Sequence, residues 1–245
     1  MIGVLHPGEM GAELGRALRE SGHAVGWIPR GRSDATRERA RAAGLVELQD
    51  VRGCEVLLSV VPPHAAEDVA RDVAGFTGIY VDANAISPAT AERVAAIVET
   101  AGAVYVDGGI IGPPPREPGT TRLYVSGARA PEVAERFRGS VVDARVVSAA
   151  SALKMVYAAW TKGSAALLLA IREAAATLGV EAELTEEWRL SQPQLEAMAE
   201  RAAASATAKG WRWKAEMEEI ADTLEAAGQP RGFHAAAAEL YDAWG

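Results

Sequence analysis

Short apolar runs alternate with amphipathic helical segments through the first 147 residues of the chain, and this alternation is the strongest constraint on its fold. The runs are Ile2–Leu5, Ala24–Ile28, Glu55–Val61, Gly78–Ala83, Ala103–Gly108 and Arg122–Gly127. The early ones are uninterrupted and β-branched, the pattern of parallel strands covered on both faces. Between them, GAELGRALRESG places Leu14, Ala17 and Leu18 on one helical face and ends at Gly22, a residue suited to a left-handed cap. ATRERARAAG repeats the helical pattern, and SPATAERVAAIVETAG begins with Ser87 as N-cap and Pro88 in the first turn. Strands and helices in alternation with short connections predict an α/β fold built on a doubly wound parallel sheet.

Past Ser148 the composition changes. SAASALKMVYAAWTKGSAALLLAIREAAATLG is one long helical pattern, and the remainder reads as helices with brief turns. The expected division is therefore 1–147 as the α/β domain and 148–245 as a small all-α domain. About a hundred residues make a thin core, so the helical domain is expected to be completed by a second copy in a homodimer. The net charge of −8 disfavours a general nucleic-acid surface. The most apolar helical stretch, Ser164–Ile171, is too short for a bilayer and lies between Lys162 and Arg172. A single cysteine, Cys54, and a start without a basic leader suit a cytoplasmic protein with no membrane partner.

The first strand runs into HPGEMG, and the next segment is helical. A dinucleotide-binding loop of the Rossmann type has glycine at three positions: for the tight turn, for approach of the pyrophosphate, and for helix–strand packing. Gly8 and Gly11 fill the second and third, whereas His6 stands at the first, which requires a negative φ there. The stretch His6, Pro7, Gly8, Glu9, Met10 and Gly11 is accordingly the expected cofactor loop. After the second strand, an NAD site would carry an acid for the ribose 2′-hydroxyl. Here the sequence is IPRGRSD, so Arg30, Arg32 and Ser33 suit a 2′-phosphate, and NADP is expected over NAD. A solvated basic loop pairing with Asp34 and Glu38 is the plainer alternative.

HPGEMGAELG, SVVPPH, VDANAISPAT, VDGGIIGPPPREPGTTRLYVSG and SALKMVYAAWTKG occur in the order and at the spacing of one superfamily. The chain resembles the β-hydroxyacid dehydrogenases, which include 3-hydroxyisobutyrate and 6-phosphogluconate dehydrogenases and, more distantly, imine reductases. Its tail looks like a shorter C-terminal domain of unknown function found on some members. The resemblance implies that Val61 and Pro62 line the cofactor, that Asn84 stands near the nicotinamide ribose, and that Lys154 is the catalytic lysine. Hydride transfer at a carbon bearing oxygen needs a group that moves a proton, and Ala149, Ala152, Leu153 and Val156 around Lys154 would desolvate its amine. A lysine snorkelling at a domain junction is the plainer alternative.

Two departures bear on the substrate. The family's substrate-gripping serine corresponds to Ile111, ahead of Gly112, and its asparagine four residues past the lysine corresponds to Ala158. Either Tyr157, Thr161 or a partner subunit supplies the missing polar groups, or the small-molecule substrate is different and more apolar; the second is the favoured reading. Trp211, Trp213, Glu216 and Met217 could cap a substrate cleft, or form core or dimer interface. His6, His23, His64 and His234 are scattered without ligand spacing, so no metal is expected. The reading is an NADP-dependent oxidoreductase. The alternatives are an imine reductase, against which Lys154 counts, and a non-catalytic NADP-binding sensor.

Overall fold

The structure, a computed structural model, describes residues 1–73 and 75–243, apart from the side chains of Lys209 and Trp211. It forms two compact units, the first Met1–Lys154 and the second from Met155 onward. In the first unit the order is β1 (Ile2–Val4), α1 (Glu9–Glu20), β2 (Val25–Trp27), α2 (Asp34–Ala42), β3 (Val46–Glu47), β4 (Val56–Ser59), α3 (Ala66–Arg71), β5 (Ile79–Asp82) and α4 (Pro88–Thr100). There follow β6 (Val104–Ile111), β7 (Thr121–Ser126), α5 (Ala130–Arg136) and β8 (Val142–Val146). The eight strands make one sheet in the order β3-β2-β1-β4-β5-β6-β7-β8.

The sheet is parallel except at one pair. β6 and β7 run antiparallel, with Gly109 opposite Tyr124, because the chain turns back through the proline-rich segment 113–118 without a crossover helix. The parallel register sets Ile2 beside both Val25 and Val56, so β1 lies between strands on either side. Leu14 and Leu18 of α1 pack with Val4, Trp27 and Leu58 in one core layer. Tyr80, Phe76, Val94 and Val98 fill the layer on the opposite face. Burial of each large aliphatic side chain is worth about 2 kcal/mol, which drives both helix layers onto the sheet. Ser33 and Ser87 cap α2 and α4 by accepting from the Thr36 and Thr90 amides at 3.3 and 3.2 Å.

In the second unit, α6 (Ala150–Leu178), which starts in the first unit, is followed by α7 (Glu181–Ser191), α8 (Leu195–Ala226) and α9 (Gly232–Ala243). Leu168, Trp188 and Ala199 form a small core across α6, α7 and α8. Among the described residues, no helix is long and apolar enough to cross a membrane.

Candidate functional site

The strand order reverses between β1 and β4, and in open α/β sheets ligands settle beyond the carboxyl ends of the strands at such a point. The loops that flank this point are His6–Gly8 after β1 and Val60–Pro62 after β4. No non-glycine residue among those described has a positive φ, so His6 meets the condition set by its position. The turn closes with the Gly8 amide donating to the His6 carbonyl at 2.8 Å. A Cβ on Gly11 would lie 2.5 Å from that carbonyl oxygen, so Gly11 is required for α1 to pack against the turn. A Cβ on Gly8, by contrast, would meet no protein atom within 4 Å. Nothing in the protein itself demands glycine there, and no side chain caps α1. The open space and the positive end of the helix together fit an approaching pyrophosphate. Met10 packs against the core and Glu9 is exposed in the first turn.

Beside this loop, a cavity of about 640 Å³ is lined by His6, Arg30, Arg32, Asp50, Arg52 and Asp72, with Leu5, Ile28 and Val69 as its apolar wall. Arg32 is half-buried and reaches back to the Leu5 carbonyl at 3.5 Å, and its Nε is buried without a partner. Its burial lowers its pKa, opposed by Asp72. Arg52 is exposed and donates to Asp50 Oδ2 from Nη2 at 2.8 Å. Ser33, a predicted ligand, has its hydroxyl engaged as the α2 cap. Sequence reasoning found Arg30 and Arg32 by their place after β2 but not Arg52 or Asp72, which arrive from other elements without a motif.

On the other side of the switch point, the Asn84 side chain ties two strand ends together. Its Oδ1 accepts from the Val61 amide at 2.6 Å, and its Nδ2 donates to Ser59 Oγ at 3.2 Å. Asn84 is 2% exposed, so it holds the Val61–Pro62 loop in place by these two contacts. Its own amide donates to Asp82 Oδ1 at 3.0 Å. Asp82 is buried, and desolvation pushes its carboxyl up to about 7, with the nearby Asp107 adding to the rise. The Tyr80 and Tyr105 hydroxyls are pushed up by burial and by the Asp82 charge.

Lys154 lies in the second turn of α6, and the start of that helix is fixed by a feature the sequence reading missed. Asp107 Oδ2 accepts from the Ala150 and Ser151 amides and from Ser126 Oγ, each at 2.9 Å. The carboxylate of a strand residue thus caps the helix and neutralises its positive end. Gly109 lets the helix approach: a Cβ there would lie 2.9 Å from both the Ala150 carbonyl oxygen and Lys154 Cβ. Lys154 itself is half-buried. Leu153 and Val156, expected to desolvate it, are exposed in the single chain, and Val156 is 53% exposed. Ile111 is buried at the end of β6, and Gly112 follows with φ +125° in a place where a Cβ would strike the Thr120 carbonyl.

Further along α6, Tyr157 is exposed and Ala158 is buried. The Thr161 hydroxyl is turned to the Tyr157 carbonyl at 3.4 Å. Trp213 lies edge-on to Tyr241 at 5.0 Å between ring centroids, with the Lys162 ammonium over its ring at 5.7 Å. Lys162 and Glu216 form an ion pair, Tyr241 donates to the Lys162 carbonyl at 2.8 Å, and Met217 is fully buried. Trp213 and Glu216 therefore take part in packing within the helical unit. The Trp211 side chain lies outside the described set. Among the described residues, no three His, Cys, Asp or Glu side chains are grouped to hold a metal ion.

A doubly wound sheet, a glycine loop at its switch point and a cationic cavity beyond β2 define the class of dinucleotide-binding oxidoreductases. Residues 1–136 match the NAD binding domain of 6-phosphogluconate dehydrogenase, and residues 175–244 match a domain of unknown function, DUF1932. The chain belongs to this family of NAD(P)-dependent dehydrogenases and reductases. An uncharacterised 28.5 kDa protein of Methanothermus fervidus is 31% identical over 193 residues, covering 76% of this chain and 74% of that one. The solved structure of MTH1747, a conserved protein of unknown function described as similar to 3-hydroxyacid dehydrogenases, is 30% identical with a TM-score of 0.73. That likeness covers 99% of this chain and 96% of the other. A 3-hydroxyisobutyrate dehydrogenase of Mycobacterium tuberculosis, solved with L-serine, shares the fold at 20% identity and a TM-score of 0.74, over 99% and 92% of the chains.

Proposed function

We propose that the protein is a cytoplasmic, homodimeric NADP-dependent oxidoreductase acting on a small, weakly polar carbonyl or hydroxy compound, with Lys154 moving the proton. The observation that carries the cofactor assignment is the cavity beyond β2, which Arg30 and Arg32 line from a strand end whose sequence has no acid before Asp34. Guanidinium groups bind a phosphate dianion by charge-assisted, paired hydrogen bonds. The open space above Gly8 admits the pyrophosphate, and the Asn84 tether fixes the Val61–Pro62 loop beside it. When bound, the nicotinamide supplies or accepts the hydride. In the oxidising direction the substrate carbon loses a hydride as its hydroxyl proton passes to Lys154 Nζ; in reduction Nζ returns that proton to oxygen. Asp107 and Gly109 set where the lysine's helix begins, and so support this role.

Ile111 and Ala158 are both buried and apolar where the family resemblance places polar groups. This favours a neutral carbonyl or a C=N bond over a hydroxy-carboxylate. The homodimer reading rests on α6, where Val156, Tyr157, Trp160, Leu167, Ile171 and Leu178 are exposed along one helix. The lone cysteine, Cys54, is a buried free thiol, in keeping with a reducing compartment. Replacing Arg30 and Arg32 by alanine is expected to weaken NADPH at least tenfold more than NADH in a fluorescence titration. Equal losses overturn the 2′-phosphate assignment. NADPH oxidation over aldehydes, keto acids and cyclic imines, lost in Lys154→Ala with cofactor affinity kept, tests the proton-transfer role. Binding with no turnover on any of them favours a sensor.

A further inference from the structure

His6 occupies the position where the glycine loop ordinarily has no side chain, and its imidazole is part of the wall of the cationic cavity. Its Nδ1 is buried with no hydrogen-bond partner, as is Arg32 Nε. Arg32 crosses the end of β1 to the carbonyl of Leu5, the residue before His6, which holds the guanidinium close to the ring. The charged groups around the ring come from four segments: Arg30 and Arg32 beyond β2, Asp50 and Arg52 before β4, Asp72 after α3, and Glu9 at the start of α1. Asp50 is already paired with Arg52, and exposed Asp72 is the carboxylate that acts on both Arg32 and His6. Among the described residues Arg30 and Arg32 make no ion pair with a carboxylate, and they share this wall with an imidazole that has an unused ring nitrogen.

We infer that His6 is a third cationic ligand of the phosphate in this cavity, taking up a proton as a 2′-phosphorylated dinucleotide binds. The inference rests on the 2′-phosphate reading above and adds to it a proton and a residue outside the usual basic loop. Without the phosphate, burial and the Arg32 charge hold the His6 imidazole neutral, down to about 4. A dianion placed between the guanidiniums cancels the Arg32 repulsion and gives an imidazolium its counter-charge. The bound proton comes from solvent, and the charge change is one unit. Affinity is then level above the bound-state pKa and rises as pH falls below it toward the free-state value. NADH, lacking the 2′-phosphate, removes neither obstacle and leaves the imidazole neutral.

The test uses the full chain and calorimetric titration of NADPH and NADH from pH 6 to 8.5, in two buffers of different ionisation enthalpy. NADPH binding to the wild type is expected to take up a fraction of a proton near pH 6.5 and to tighten several-fold from pH 8 to 6, beyond any change for NADH. In His6→Gln and His6→Asn, both folded by circular dichroism, that extra proton and tightening are expected to vanish while NADPH still binds better than NADH. The difference between wild type and variants removes the phosphate's own titration. A wild type that prefers NADPH but matches both variants in proton uptake overturns the role of His6 and leaves the cofactor reading standing. A wild type that binds NADPH and NADH alike overturns the cofactor reading, and this inference with it.

Discussion

The buried Asp82 offers a prediction that depends on no ligand. Its carboxyl is raised from 3.8 to about 7 by burial, so the folded state holds a proton that the unfolded state has already released between those values. The unfolded chain therefore binds fewer protons across that window, and stability falls as pH rises from about 4 to about 7, then stays level. At 1.36 kcal/mol per unit, with the carboxyl half ionised at pH 7, the loss from pH 5 to pH 7 is about 2 kcal/mol. Asp82→Asn keeps an oxygen for the Asn84 amide, which donates to Oδ1 at 3.0 Å, and carries no titrating charge. Its stability should lack this slope, so the variant gains about 2 kcal/mol on the wild type between pH 5 and 7, or roughly 4–8 °C in melting temperature. Carboxylates nearer the surface such as Glu55 and Glu67, lowered by their arginine partners, titrate the opposite way in both proteins and cancel in the difference. The assay is thermal and urea unfolding of both proteins at pH 5, 6, 7 and 8. A difference that stays constant over that range refutes the argument, because Asp82 would then be ionised in the folded state throughout.

The two roles of glycine in the first loop separate by substitution. Gly8→Ala is expected to leave the urea midpoint nearly unchanged, since its Cβ meets no protein atom, but to weaken NADPH at least tenfold in a fluorescence titration. Gly11→Ala, whose Cβ would lie 2.5 Å from the His6 carbonyl oxygen, is expected to lower stability itself, by about 1–3 kcal/mol. Trp160, 70% exposed on α6, is the side chain to replace in testing the dimer. Trp160→Glu is expected to convert a dimer to a monomer in light scattering after size exclusion, with far-UV circular dichroism unchanged.

The α/β half was legible because its core strands are short apolar runs separated by capped helices; β1, β2, β4 and β5 fall within the expected runs. Two edge strands were not. β3 is two exposed residues, Val46 and Glu47, and β8 is VDARV with two charged residues and an exposed end, so neither has the burial that imprints a pattern. β6 runs on to Ile111 through Gly108 and Gly109, where the expected strand stopped. Glycine ordinarily weakens a strand, but here each lets backbone come close: a Cβ would lie 2.8 Å from the Asp82 carbonyl at Gly108 and 2.9 Å from the Ala150 carbonyl at Gly109.

The candidate site divides along the same physical line. Placements that depend on residue type at a fixed offset from a strand, such as Gly8 and Gly11 in the first turn and Arg30 and Arg32 beside the cavity, can be read in one dimension. Roles that depend on which groups meet cannot. The side-chain amide of Asn84 ties the end of β5 to Ser59 and Val61 at the end of β4, a contact that no local pattern announces. Asp107 lies 43 residues before the helix start that it caps at Ala150. The capping signature is normally sought within a few residues of the helix, and here the cap is supplied by the sheet. An acid on a strand next to paired glycines, with a long helix beginning nearby in the fold, is the signal that would have found it. That same arrangement lets the helix carrying Lys154 start close against β6, since the carboxylate holds its N-terminus from one side while Gly109 removes the side chain that would push it away.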